Sequence, residues 1–131
     1  MKEIFKTNYV EITFDEDAKV LFTKWTNENF TSEQYREVWE KNLSFGNETS
    51  VDYFLSDIVD QKVVTPEDRK WFEDSAVPRA IETGIKKGAI ILGANPFKRY
   101  YFNNIMKKLG GTTLPFKAFK NKEAAYKWFL Q

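Results

Sequence analysis

Side chains able to hold ions or move protons gather in a few short stretches of this 131-residue chain: Asp57, Asp60 and Gln61; Asn27, Glu28 and Asn29; and Asn95 with Lys98 and Arg99. Asp57 and Asp60 offer oxygen ligands for a hard cation, but such ions take about six or more oxygens in defined geometry, and no calcium-loop spacing is present. The expectation is solvated loop acids and no metal. Asn95 followed by Pro96 is a helix start whose exposed amides attract anions, with Lys98 and Arg99 in its first turn. The start at Thr65 is less suited, because Glu67 and Asp68 repel an anion. Catalysis by Asp57 or Glu67 with Arg79 ranks lowest, since no spacing fixes two of these groups together. The chain has no histidine and no cysteine, which removes the usual neutral-pH base, thiolate nucleophiles, disulfides and thiolate metal sites. The sequence therefore reads as non-enzymatic, with no cofactor.

Charge is more informative than any motif. The formal net charge is +1, from 20 basic and 19 acidic side chains, yet residues 96–131 carry eight basic groups against Glu123 alone, a local +7. Residues 1–95 carry 12 basic and 18 acidic groups, a local −6. Phe97, Tyr100, Tyr101, Phe116 and Phe119 interleave with the basic residues, a combination that can stack bases and hold phosphates. Near-neutral overall charge weakens the long-range attraction on which nucleic-acid binding depends, and no recognition motif is present. An acidic part meeting a basic part suits a protein partner or a second copy of the chain instead.

The elements that must position these residues follow from periodicity. Tyr9–Phe14 and Val20–Trp25 alternate around the charged turn 15–19, predicting an antiparallel hairpin. Thr31 with Gln34 forms a capping box, Phe30 and Tyr35 a hydrophobic staple, and Gly46-Asn47 the expected stop of that helix. Val51–Asp57 reads as a central strand. Thr65-Pro66 starts the next helix, which Pro78 should kink or restart as a second piece running to Ile85. A buried strand spans Gly88–Leu92. A helix capped by Asn95 carries Phe102, Ile105, Met106 and Leu109 inward and ends at Gly110-Gly111. Pro115–Phe119 is a strand, and Asn121 caps a last helix with Ala125, Trp128 and Phe129 inward. The predicted order is β-β-α-β-α-β-α-β-α: one α/β domain over residues 1–131, with a mostly parallel, five-stranded mixed sheet and helices packed on its faces. A charged N-terminal stretch and the lack of a run of about 18 apolar residues lead to the expectation of no signal peptide, no membrane span and a cytoplasmic location.

This order of elements resembles the STAS fold of the SpoIIAA-like anti-sigma-factor antagonists. Trp71-Phe72, Val77-Pro78-Arg79-Ala80-Ile81 with Gly84, Asn95-Pro96-Phe97-Lys98-Arg99 and Glu123-Ala124-Ala125-Tyr126-Lys127-Trp128 look like a set of STAS-like proteins from Bacteroidetes. The resemblance covers nearly the whole chain and implies a fold and a protein-binding habit. It does not carry over the antagonists' phosphorylated serine: the strand ending Leu55-Ser56-Asp57-Ile58 has no glycine after it, and several residues intervene before Thr65. Ligands of open α/β sheets bind beyond the carboxyl ends of the parallel strands. The candidate interaction surface is therefore Asp57, Thr65, Asn95, Phe97, Arg99, Tyr100 and Tyr101, with the runner-up a small apolar ligand or lipid in a pocket between sheet and helices.

Overall fold

A computed structural model describes residues 1–109 and 114–131. Six strands, β1 (Lys2–Lys6), β2 (Val10–Asp15), β3 (Val20–Trp25), β4 (Tyr53–Asp57), β5 (Lys87–Ile91) and β6 (Phe116–Phe119), form one sheet in sequential order. β1, β2 and β3 pair antiparallel, and β3 to β6 pair parallel. The sheet thus has one strand more than expected. β1 lies at the edge with a register irregularity between Glu3 and Phe5. Its charges at Lys2, Glu3 and Lys6 guard an open edge, and the irregularity breaks the alternation that would have marked it as a strand.

Parallel neighbours in sequential order are joined by α1 (Ser32–Glu48), by α2 (Pro66–Trp71) with α3 (Val77–Glu82), and by α4 (Pro96–Lys108). Right-handed crossovers that all step the same way across a sheet place their helices on one face. Tyr35, Val38 and Leu43 of α1, Ala80 of α3 and Phe102 of α4 accordingly share one core with Ile12, Leu21, Trp25, Phe54 and Ile90. Alternate strand residues, Val20, Phe22, Leu55, Ala89 and Ile91, turn to the other face and meet Ala125 and Phe129 of α5 (Lys122–Phe129).

The caps follow the sequence. Thr31 and Gln34 make both capping-box bonds, Thr65 accepts from the Asp68 amide, Asn95 from Phe97 and Lys98, and Asn121 from Ala124. Gly46 does not stop α1, which continues to Glu48 and a Thr49 cap. Gly46 is buried where a Cβ would stand 3.2 Å from Phe54 Cζ and 3.4 Å from Thr83, so its small size serves close packing. The second helical piece expected at Pro78 is α3, which has Pro78 in its first turn and ends at Glu82 rather than at Ile85. A π-helical segment, Phe72–Ala76, joins α2 to α3, with the Val77 amide bonded back to the Phe72 carbonyl. Proline lacks an amide hydrogen, and a wider turn just before it absorbs the missing bond. The expected stop at Gly110-Gly111 lies outside the described residues.

Candidate functional site

The carboxyl ends of β4 and β5 lead into the loops 58–65 and 92–95, and these two loops are bound to each other. The Ile58 amide donates to the Ile91 carbonyl at 3.0 Å. Gly93, at φ +66°, adopts a conformation that favours glycine and leaves space for Val59, whose side chain lies 3.4 Å from where a Cβ would be. Lys98, in the first turn of α4, folds its ammonium onto the carbonyls of Ile58, Val59 (2.8 Å) and Gln61 (3.0 Å). Partial burial pulls the Lys98 ammonium below the usual lysine range, against the opposing pull of Asp60 and Asp57. Lys98 is thus a clamp between loops rather than a free anion ligand.

The candidate residues sort themselves on this frame. Asp57 accepts from the Val59 amide at 3.0 Å and shapes the loop. Thr65 and Asn95 are caps, with their side-chain oxygens turned to helix amides. Asn95, Phe97 and Tyr101 line one groove of about 420 Å³ with Ile58, Gln61, Lys62, Val63, Val64, Arg69 and Lys98. That lining holds three cations and no acid. Phe97 is 83% exposed, Tyr100 69% and Val63 88%, with Val59 exposed beside them. Phe97 and Tyr100 stand three residues apart, on one side of α4. Arg99 is exposed at the same helix start. Tyr101 turns inward instead, and burial raises its phenol well above the ordinary range.

One contact of the site was not anticipated. Arg69 of α2 lays its guanidinium over the Tyr101 ring, 4.9 Å from the centroid, and its buried Nε has no hydrogen-bond partner among the described residues. No local pattern brings residue 69 to residue 101; only the packing of α2 on α4 does. Behind Tyr101 lies a cavity of about 70 Å³ between the sheet and α1, α3 and α4. Its walls are mostly apolar, including Trp39, Ala76, Ala80, Ile90 and Ile105, with Ser56, Gln61 and the buried Tyr35 phenol among them. Burial pushes the Tyr35 phenol up further than any other cause. Ile58, Gln61, Val64 and Tyr101 are walls of both cavity and groove.

Among the described residues, no group of three or more acids is placed to hold a metal ion, and no helix is long and apolar enough to cross a membrane. Arg79 is engaged with a different acid from the expected Asp57 or Glu67: its guanidinium is held in a two-point ion pair with Glu40 at 2.6 and 2.7 Å. That pair holds the Glu40 carboxyl below its usual range. The sequence matches no family model, and a search of curated proteins finds no match.

Proposed function

We propose that this chain is a STAS-like binding domain that docks a protein partner on its strand-end surface and does no chemistry of its own. The element order from β2 onward is the one on which the resemblance to the anti-sigma-factor antagonists rests. The observation that carries the reading is the exposure of Val63, Phe97 and Tyr100 around a groove lined by Lys62, Arg69 and Lys98 without an acid. Clustered exposed aromatics rimmed by one sign of charge are the usual anchors of an interface, and they select a partner surface that is apolar and acidic. A second copy of the chain offers acidic side chains and is one such partner.

The test replaces Phe97 and Tyr100 together with aspartate. Cross-linking in cells should recover a stoichiometric partner, or a dimer, with the parent chain and lose it with the variant, while the circular dichroism of the variant stays unchanged. Unaltered capture and an unaltered sedimentation profile overturn the surface.

A second reading, a small apolar ligand or lipid held between sheet and helices, is favoured by the cavity behind Tyr101. Its volume of about 70 Å³ is well below the ~300 Å³ of a drug-sized pocket. The occupant is restricted to a few heavy atoms rather than a full acyl chain.

A further inference from the structure

We propose that the Arg69–Tyr101 junction is a binding site for small carboxylic acids with a short apolar arm, the carboxylate on Arg69 and the arm in the cavity behind Tyr101. This deepens the second reading above, since it depends on an occupied cavity.

Three observations converge on it. Arg36 is tied to Asp68 and Arg79 to Glu40. Arg69, by contrast, is stacked on an aromatic ring and keeps a buried Nε without a partner among the described residues. Leaving such a donor unmatched is unfavourable, and a guanidinium is the group best shaped to take a carboxylate at two points. Next, the charged side chains lining the groove are Lys62, Arg69 and Lys98, with Glu73 and Asp74 lying in the separate pocket on the other flank of Arg69, and the ammonium of Lys98 is already committed to backbone carbonyls. An anion entering there meets Arg69 and Lys62 with no acid in the lining to repel it. Last, the groove holding Arg69 and the apolar cavity bounded by Ala76, Ala80, Ile90 and Ile105 adjoin, since Ile58, Gln61, Val64 and Tyr101 line both. A cavity of about 70 Å³ takes about two or three groups the size of a water or a methylene. A chain of about four carbons ending in a carboxylate matches that length, with its charged end outside.

Butanoate and butan-1-ol are the probes, titrated separately into the whole protein while amide shifts are followed by NMR. Saturable shifts centred on Ile90, Tyr101 and Ile105 are expected for butanoate. Arg69→Gln should weaken butanoate by about tenfold or more and leave butan-1-ol unchanged, and Arg69→Lys, which keeps a point charge, should fall between. Equal binding of acid and alcohol, insensitive to both Arg69 variants, overturns the carboxylate site while the apolar cavity reading stands. Absence of saturable shifts with either probe overturns both. Should Arg69→Gln fail to fold, Arg69→Lys and the acid-to-alcohol comparison on the parent chain decide the matter alone.

Discussion

The two faces of the sheet are built to different standards. On the α5 face, Tyr53 and Phe129 stack at 4.5 Å with their planes 12° apart, and Trp128 and Tyr126 close around Phe129. Lys87 and Lys117 lie over the Trp128 ring, and Lys122 over Phe22 and Tyr126. A single helix of eight residues seals this face by ring-on-ring contact. The other face carries three crossover connections and more aromatic side chains, yet it holds the cavity, because the sheet beneath α3 and α4 offers Gly88 and Ser56 where larger side chains would fill the space. At Gly88 the reason is a close approach: a Cβ there would lie 2.8 Å from the Phe116 ring. The difference teaches that aromatic content alone does not make a tight core. The larger face also has ring-on-ring contacts, at Trp25 with Tyr35 and at Trp39 with Phe72, but at the cavity rings meet Gly88 and Ser56 instead.

The largest expected effect tests the tight face. Phe129→Ala removes a fully buried ring and should lower unfolding free energy by about 3–5 kcal/mol, measured by urea titration; a loss under about 1 kcal/mol would mean that α5 is not the seal. The next follows from protonation. Burial raises the phenols of Tyr35 and Tyr101 on one face and of Tyr126 on the other above their ordinary value near 10. A raised folded-state value means that the native chain keeps protons the unfolded chain has lost, so stability is full below about pH 10 and falls as pH rises beyond it. Thermal midpoints at pH 8 and pH 11 should show that decline, and Tyr35→Phe should flatten it. Smaller again is Tyr126→Phe, which removes the 2.9 Å bond to Asp15 that joins α5 to the β2–β3 turn; a loss of about 1 kcal/mol is expected. It should also remove part of the downward pull on the Asp15 carboxyl, whose first cause is the Ala18 amide. Asp15 lends stability above its unfolded value that is lost as pH falls through the lower folded one. The variant should therefore lose slightly less stability between about pH 4 and pH 2. The smallest effect has the opposite sign: Ala80→Val adds methyl groups toward the cavity and should stabilise by about 0.5–1 kcal/mol, a gain that the α5 face has no room to reproduce.

Elements whose signals are local were legible in the sequence. The hairpin, four helix caps and the strands feeding parallel pairs all rest on residues within about four positions of one another. β1 was not legible, since its charges and its irregular register hide the period of two. Gly46 misled because a glycine near a helix end reads as a stop, while its neighbours in space, Phe54 and Thr83, are remote in sequence. The candidate surface shows the same division. The stripe of Phe102, Ile105 and Met106 implied that at least one of Phe97, Tyr100 and Tyr101 points away from the core, and Phe97 and Tyr100 are the two that do. The clamp made by Lys98 and the pairing of Arg69 with Tyr101 join different elements and left no trace in local spacing.

The π-helical segment has a consequence for inheritance. A turn with about five residues where about four suffice amounts to one surplus residue in the helix, and each residue sets the direction of the next by about 100°. The surplus at Phe72–Ala76 thus works as a phase adjuster: it lets Trp71 and Phe72 face α1 while Ala80 still comes round to the sheet. A relative one residue shorter here would need a different inward residue at every later position of the helix. Deleting Ser75 should accordingly damage folding more than replacing it with alanine, a contrast that the yields of the two variants measure directly.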